Sequence, residues 1–294
     1  MTRQIIVGGV PIGGGAPVAI QSMLNTKTTD VAASLEQIRK LHTAGCQIVR
    51  LAVQNMEAAR GFAEIAKESP LPLVADIHFD YKLAIAAAEG GASKIRINPG
   101  NIGGEDRVKA VVDVCKERKI PIRIGVNGGS LDKRLLEKYG HPTAEALVES
   151  AFEHLELLEK QGFYDTCVSM KSSTVPTMVK AARLFREKCD YPLHVGVTEA
   201  GLPGQGTIKS AIGIGALLAQ GIGNTIRVSL TGSPIPEGKA AWDILRALNL
   251  RTQGVQLISC PTCGRTRIDL IGLVNQVDAA LHDCEKPITV AVMG

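Results

Sequence analysis

Basic side chains recur in short, β-branched segments of this chain. Arginines alternate with apolar residues in IVRLAV, KIRIN, IRIGVN and TIRVSL, and a lysine ends TCVSMK. Guanidinium groups bind phosphate oxygens in a bidentate fashion, and unpaired cations are costly to bury. The set therefore predicts a site for a phosphorylated, and by its charge diphosphorylated, small molecule, made by Arg50, Arg96, Arg123, Lys171 and Arg227. The alternative is that some of these residues are ion-paired and line a barrel.

Three further side chains can contribute acid–base chemistry. Asp76 and His78 lie two residues apart in VADIHFD, and Glu199 follows VGVT. A lone histidine can be structural and hydrogen-bonded, but a carboxylate on the same strand face favours a site. Nearby cations would keep Glu199 ionised. Its place where the seventh strand ends makes it the candidate for proton delivery or for holding a substrate hydroxyl. A salt bridge to one of the arginines is the alternative for Glu199.

Short strands alternating with amphipathic helices account for most of the chain. Alternation of this kind predicts βαβ units and a parallel sheet, and eight units close into a (β/α)8 TIM-type barrel. The predicted strands are Val18–Met23, Ile48–Val53, Pro72–Ile77, Lys94–Asn98, Ile122–Val126, Thr166–Lys171, Leu193–Thr198 and Thr225–Leu230. The predicted helices include Asp30–Ala44, Met56–Glu68, Tyr81–Glu89, Ala144–Gln161 and Thr177–Lys188.

The phase of these strands separates a closed barrel from an open, doubly wound sheet. In KIRIN, Arg96 and Asn98 share one face and the isoleucines share the other, because side chains alternate along a strand. A strand covered by helices on both faces would be apolar throughout, so a polar face favours a barrel whose interior opens at a mouth. The same phase places Arg50, Arg123, Asn127, Arg227 and Ser229 on the polar face.

Composition excludes several classes of function. A net charge of +4 over 294 residues and an aromatic content of 3% argue against nucleic-acid binding. Ala211–Gly223, the longest weakly polar stretch, is too short for a membrane helix. The N-terminus lacks a basic region, an apolar core and a cleavage site in sequence, so a cytoplasmic location is expected. Seven cysteines in a chain of this size suggest reduced thiols. The glycine-rich GGVPIGGGAP lacks the context of a dinucleotide-binding loop and is expected to form a turn.

The last part of the chain predicts a second, smaller α/β unit. We expect residues 1–252 to form the barrel and residues 253–294 to begin the second domain, with strands Val255–Ser259 and Ile288–Met293 around a helix Arg267–His282. Its CPTC motif, Cys260 to Cys263, can ligate a metal, serve an iron–sulfur cluster or form a redox disulfide. Downstream candidates for further ligands are His282 and Cys284, of which Cys284 is expected to be an ordinary, partly buried thiol.

Eight motifs in order resemble one enzyme family. They are VADIHFDY, KIRINPGNIG, PIRIGVNGGSL, VSMKSS, VTEAG, KSAIGIG, IRVSL and CPTC. Together they are similar to the bacterial 4-hydroxy-3-methylbut-2-enyl diphosphate synthases of the methylerythritol phosphate isoprenoid pathway. The resemblance implies a barrel followed by a [4Fe–4S] domain, in a head-to-tail homodimer where the cluster of one subunit covers the barrel of the other.

The resemblance also implies a reaction and its residues. The reaction is reductive ring opening and dehydroxylation of 2-C-methyl-D-erythritol 2,4-cyclodiphosphate, with electrons from flavodoxin or ferredoxin. Glu199 would lie close to the reacting carbon, and Cys260 and Cys263 would hold the cluster. The implied surroundings of the cyclic diphosphate are Arg50, His78, Arg96, Asn98, Arg123, Asn127, Lys171, Arg227 and Ser229, and we place Asp76 with them.

Similar proteins continue past a segment like VAVMG with a cysteine in a CVVNGPGE-like motif. The resemblance thus implies a third cysteine and a glutamate ligand beyond Gly294, and a truncated form that lacks the full cluster. Two other functions stay open. Lys171 could be the nucleophile of a Schiff-base lyase acting on phosphorylated substrates. The chain could also be a non-catalytic barrel that binds the diphosphate.

Overall fold

A computed structural model describes residues 1–252, 254–281, 284 and 286–294 of the chain. These residues form two compact units, Met1–Ile244 and Leu245–Gly294. The predicted helix end at His282 lies outside the described residues. No helix in the described part combines the length and apolar character needed to span a bilayer.

The first unit begins with an antiparallel hairpin of β1 (Gln4–Val7) and β2 (Val10–Gly13). Gly8 and Gly9 turn the chain with positive φ angles of 53° and 88°, which a two-residue hairpin turn requires. The expected turn in GGVPIGGGAP is present at Gly8 and Gly9, but the residues that follow, Val10–Gly13, form a strand that pairs back onto β1. The cue was the alternation of Ile5 and Val7 with polar or exposed neighbours.

Eight parallel strands follow and close into the predicted barrel. They are β3 (Ala19–Met23), β4 (Ile48–Ala52), β5 (Leu73–Asp76), β6 (Lys94–Ile97), β7 (Ile122–Asn127), β8 (Thr166–Lys171), β9 (His194–Val195) and β10 (Thr225–Ile226). Neighbouring strands pair in the order β8-β7-β6-β5-β4-β3-β10-β9, and a bridge between Val168 and Leu193 joins the two ends of this order. The (β/α)8 architecture is confirmed.

Helices connect the strands and cover the outside of the barrel. They are α1 (Val31–Thr43), α2 (Met56–Glu68), α3 (Tyr81–Glu89), α4 (Glu105–Arg118), α5 (Lys133–Tyr139), α6 (Ala144–Glu159), α7 (Val175–Lys188), α8 (Gln205–Leu218) and α9 (Ile235–Ala247). The first three begin at polar caps, where Asp30, Asn55 and Asp80 accept a hydrogen bond from a backbone amide in the first turn. These caps fix the loops that leave the mouth.

The last two barrel strands are shorter than predicted. Only two residues of each make ladder pairs, whereas the sequence predicted six. Beyond these pairs the backbone is held by isolated hydrogen bonds. Arg227 N donates to the Val195 carbonyl at 3.0 Å, and Thr231 N donates to the Gly201 carbonyl at 2.9 Å. Residues expected on strands at this side of the mouth thus lie on irregular backbone.

The hairpin closes the floor of the barrel. Ile5, Val7 and Ile12 are buried in one cluster with the inward-facing residues Ala19, Ile48, Val74 and Cys167 at the amino ends of the strands. Arg3 holds the hairpin in place through an ion pair with Asp190 at 2.5 Å. The floor is apolar, so the polar interior lies above it, towards the mouth.

The second unit contains β11 (Val255–Ser259), α10 (Leu270–Leu281) and β12 (Ile288–Val292). The two strands are parallel and paired along their whole length. Both strands agree with prediction, while the helix begins three residues later than expected. Ile258, Ile271 and Ile288 are exposed in this small unit.

Replacing Ile5 by alanine should destabilise the barrel by about 2–4 kcal/mol, since it removes a buried side chain from the floor cluster. Its neighbour Ile6 is 49% exposed, so Ile6→Ala is the matched control and should change stability by less than about 0.5 kcal/mol. Urea unfolding followed by fluorescence of the single, buried Trp242 measures both. Equal effects of the two variants would show that the hairpin does not seal the floor.

Candidate functional site

Asp76 is the centre of the polar interior. One of its oxygens lies 3.1 Å from Arg96 Nη1, and the other lies 3.7 Å from Arg50 Nε and 3.5 Å from His78 Nε2. Strand register brings Asp76 beside Arg96, and Arg96 beside Arg123. Burial by itself would raise the pKa of Asp76, but Arg50, His78 and Arg96 hold that pKa well below its usual range. Asp76 is therefore a buried carboxylate that stays ionised.

A second polar layer lies on the strands beneath this centre. Arg123 Nη1 donates to Ser169 Oγ at 2.8 Å, and Lys94 Nζ donates to Gln21 Oε1 at 3.2 Å. Burial lowers the pKa of Lys94 to about 8, and the charges of Arg123 and Arg50 act in the same direction. Sequence reasoning missed Lys94, although it lies two residues before Arg96 and so shares its inward face.

Met23 and Glu237 complete the mouth on the side of β10, and sequence reasoning missed both. The Met23 sulfur lies 2.7 Å from Arg50 Nη2 and 3.6 Å from Arg227 Nη1. Glu237, in the first turn of α9, lies 3.8 Å from Arg227 Nε and accepts a hydrogen bond from Ser22 Oγ. An acidic residue in a first helical turn is usually explained by its favourable interaction with the helix dipole. Nothing in the sequence around Glu237 therefore indicates that its side chain is buried at the mouth.

Two glycines make room for these cations. A Cβ atom at Gly125 would lie 2.4 Å from Arg96 Nε, and the Gly125 carbonyl accepts a bond from Arg96 Nη2 at 3.2 Å. A Cβ atom at Gly196 would meet the Arg227 carbonyl at 2.3 Å and Lys171 Nζ at 3.2 Å. Gly125 thus leaves room for the Arg96 side chain, and Gly196 leaves room for the Arg227 carbonyl and the end of the Lys171 side chain.

Several buried polar atoms in this interior have no protein partner among the described residues. They include Arg96 Nε, Arg123 Nε and Nη2, and both side-chain polar atoms of Asn98. Burial lowers the pKa of Lys171 well below its usual value, with Arg227 and Arg123 acting in the same direction. Because buried donors are rarely left unsatisfied, this concentration of donors and positive charge suits a polyanionic ligand.

A cavity of about 970 Å³ opens beside this centre, between the loops that follow β7, β8 and β9. Asn127, Lys171 and Glu199 line it. Glu199 is exposed and has a left-handed φ of 52°, a conformation that costs energy for a residue other than glycine and concentrates at functional sites. Within the described residues Glu199 makes no ion pair with a mouth arginine.

The structure thus divides the predicted site residues into groups. Arg50, Asp76, His78 and Arg96 meet directly, while Asn127, Lys171 and Glu199 share the cavity. Asn98, directly after β6, and Arg123, on the neighbouring β7, are buried, and Arg227 pairs with Glu237. Ser229 is half-buried beyond the end of β10. The expectation of some ion-paired arginines holds for Arg50, Arg96 and Arg227.

The CPTC motif lies in the second unit, directly after β11. Cys260 N donates to the Val292 carbonyl at 3.1 Å, and Cys263 is exposed. Hydrogen bonds from the backbone and side chain of Arg265 lower the pKa of Cys263, which favours its thiolate. Cys284 is near Gly254, at the opposite end of β11, so it cannot join the two motif thiols in one site. The described residues contain no group of three metal-ligating side chains.

Family models match both units of the chain. The GcpE TIM-barrel domain matches residues 2–242, and the GcpE protein C-terminal domain matches residues 256–294. A relative from Geobacter sulfurreducens is 56% identical over the whole chain and 83% of its own length. One from Clostridium perfringens is 57% identical and covered to 84%. Both carry the name 4-hydroxy-3-methylbut-2-en-1-yl diphosphate synthase (flavodoxin).

Solved structures support the fold. Dihydropteroate synthase from Stenotrophomonas maltophilia aligns with a TM-score of 0.60 at 13% identity, covering 84% of this chain and 99% of the other. A phospho-2-dehydro-3-deoxyheptonate aldolase from Thermotoga maritima aligns with a TM-score of 0.56 at 13% identity, covering 84% and 73%. At this identity the likeness concerns the barrel alone.

Replacing Lys94 by methionine should raise the free energy of unfolding at pH 7 by about 1–3 kcal/mol, because it removes a buried charge repelled by its neighbours. The gain should shrink as the pH rises above about 8. In that range the folded wild type loses the proton that the unfolded chain keeps up to about 10.5.

Chemical denaturation at pH 7 and pH 10 measures this effect. The exposed Lys67, on α2, supplies the control variant Lys67→Met, which should behave as wild type. A destabilised Lys94→Met protein at pH 7 would contradict the placement of a charged amine in this layer.

Proposed function

Because the chain belongs to the GcpE family, we propose that it binds 2-C-methyl-D-erythritol 2,4-cyclodiphosphate at the barrel mouth and takes part in its reductive opening to 4-hydroxy-3-methylbut-2-enyl diphosphate. The ring opens by cleavage of a bond between carbon and a phosphate oxygen, and a hydroxyl group leaves as water. Overall, the conversion takes up two electrons and two protons.

The observation that carries this proposal is the concentration of buried cations around one ionised carboxylate. Asp76 compensates part of the charge of Arg50 and Arg96, and Glu237 compensates part of that of Arg227. Arg123 and Lys171 have no carboxylate within ion-pair distance among the described residues. A diphosphate would supply the missing negative charge and accept bonds from the unpartnered donors.

Each predicted residue has a role in this proposal. Lys171 and the arginines bind phosphate oxygens, while Asp76, with His78 beside it, orients Arg50 and Arg96. Glu199 lies at the rim of the cavity, where a carboxyl group can transfer a proton to the leaving hydroxyl. The remaining polar contacts to the ligand are assigned to Asn98, Asn127 and Ser229.

The low pKa of Lys171 also favours a second candidate, a Schiff-base lyase. A buried, neutral amine can attack a carbonyl carbon, and burial pushes Lys171 in that direction. Borohydride trapping of a substrate adduct on Lys171 would support the lyase. In the diphosphate proposal the bound anion instead raises the pKa of Lys171, so ligand binding is accompanied by proton uptake and weakens as the pH rises.

An iron–sulfur cluster is the cofactor that the proposed reduction requires. Cys260 and Cys263 fit two ligand positions of a [4Fe–4S] cluster: they are close in sequence, accessible, and Cys263 is biased towards its thiolate. When bound, the cluster supplies electrons to the reaction. The described residues contain no group of three metal-ligating side chains around this pair.

The partners follow from the same proposal. We assign flavodoxin or ferredoxin as the electron donor, and a head-to-tail homodimer in which the cluster of one subunit covers the barrel of the other. We assign residues 1–252 to substrate binding and residues 253–294 to the start of the cluster domain. The cytoplasmic location remains a prediction from the sequence of the N-terminus.

Replacing Arg96 by methionine should weaken binding of the cyclic diphosphate by about 10- to 100-fold, since it removes a buried, charge-assisted contact. Isothermal titration calorimetry on the 294-residue chain measures this effect. The exposed Arg60, on α2, provides the control Arg60→Met, which should bind as wild type.

Equal affinity of the Arg96→Met variant would refute the mouth as the binding site. Tight binding by the wild type without any turnover under reducing conditions would favour a non-catalytic, diphosphate-binding barrel.

Replacing Cys263 by alanine should abolish iron binding by the chain after anaerobic addition of iron and sulfide, because one thiol of the motif cannot hold the cluster. Cys284→Ala is the matched control and should bind as much iron as wild type, since Cys284 lies at the other end of β11. Iron and sulfide analysis with visible absorbance gives the readout. If Cys263→Ala kept all of the iron that the wild type binds, the motif would be excluded as a ligand pair.

A further inference from the structure

The seam between the first and last barrel strands is paired for only two residues. β10 pairs with β3 at Thr225 and Ile226, although β3 continues to Met23. By contrast, β7 and β8 are paired over six residues up to the mouth. The segment that carries Arg227 and Ser229 therefore lies beyond the last ladder pair on the β3 side.

One buried carboxylate bridges this seam above the ladder. Glu237 Oε1 accepts a hydrogen bond from the Leu230 amide at 3.0 Å, and Oε2 accepts one from Ser22 Oγ at 3.1 Å. Ser22 belongs to β3, whereas Leu230 ends the segment that follows β10. Glu237 is 3% exposed, and its Oε2 atom lies 3.8 Å from Arg227 Nε. The same side chain thus contacts both sides of the seam and the mouth arginine.

Other contacts across this side of the seam are weaker. Arg227 Nη1 reaches the Met23 sulfur at 3.6 Å, and Asn25 Nδ2 donates to the Gly232 carbonyl at 3.3 Å in an exposed position. On the β9 side, Arg227 is held by its backbone, through the bond from its amide to the Val195 carbonyl. The β3 side depends on the Glu237 side chain in place of backbone pairing.

We propose that Glu237 is a positioning residue: its carboxylate replaces strand pairing at the barrel seam and thereby fixes Arg227 and Ser229 at the mouth. A buried carboxylate costs desolvation energy unless it is paired and fully hydrogen-bonded. Here two hydrogen bonds and the charge of Arg227 offset part of that cost, although burial still leaves the pKa of Glu237 above its usual value. The effect on ligand binding rests on the proposed function, whereas the effect on the seam rests on these contacts alone.

The test compares Glu237→Gln and Ser22→Ala with a matched control. Glu57 is also a glutamate in a first helical turn but is exposed, so Glu57→Gln controls for loss of charge at such a position. Hydrogen exchange of the ligand-free chain should rise about tenfold at the Leu230 amide in Glu237→Gln. Affinity for the cyclic diphosphate should fall about tenfold, and by about two- to threefold in Ser22→Ala.

A destabilised variant with an intact seam separates positioning from general stability. Ile5→Ala weakens the floor of the barrel and should keep wild-type affinity and wild-type exchange at Leu230. An equal loss of affinity in Ile5→Ala and Glu237→Gln, at matched thermal midpoints, would overturn the positioning role. Unchanged exchange at Leu230 in Glu237→Gln, or exchange that rises without loss of affinity, would overturn it as well.

The two proposals fail in different ways. If the wild-type chain does not bind the cyclic diphosphate, the proposed function fails, while exchange at Leu230 still decides whether Glu237 holds the seam. If Glu237→Gln does not fold, Ser22→Ala decides, because it removes one hydrogen bond and leaves the carboxylate in place. Wild-type exchange and affinity in Ser22→Ala would then count against the proposal.

Discussion

The polar interior depends on the attraction between one buried carboxylate and the cations around it. Asp76 contacts Arg50, Arg96 and His78, and without its charge two guanidinium groups would face each other in a medium that screens charge poorly. Burial lowers the pKa of Arg50 to about 10 despite this attraction. Asp76 therefore compensates only part of the free energy that it costs to bury these cations, and an anionic ligand can compensate more of it.

The barrel shapes this charge distribution through strand geometry. Alternating side chains direct one face of every strand inwards, and the apolar hairpin confines the charges to the upper interior. Gly125 leaves room for the Arg96 side chain, and Gly196 leaves room for the Arg227 backbone and the end of Lys171. Where backbone pairing between β3 and β10 ends, the Glu237 side chain contacts both sides of the seam. Fold and site are thus linked, because the same register that closes the barrel brings Asp76, Arg96 and Arg123 side by side.

Features encoded locally could be predicted from the sequence. Strand phase placed Arg50, Arg96 and Arg123 inside a barrel, and the bounds of α2, α3 and β8 agree with the expected segments. Features that depend on distant contacts could not. Glu237 reads as an ordinary helix-start residue until the fold brings it to Ser22, 215 positions earlier. The hairpin was missed because its glycines were assigned to a turn alone, and β9 and β10 were overextended because apolar alternation continues where pairing stops.

In the proposed function, a diphosphate completes the charge balance around Asp76. A crystal structure of the chain with 2-C-methyl-D-erythritol 2,4-cyclodiphosphate is the direct test. Phosphate oxygens should lie within hydrogen-bond distance of Arg96, Arg123 and Lys171, with the contact between Asp76 and Arg96 retained. Phosphates bound only at the outer wall of the cavity, near Ser173 and Lys180, with no arginine contact, would contradict it.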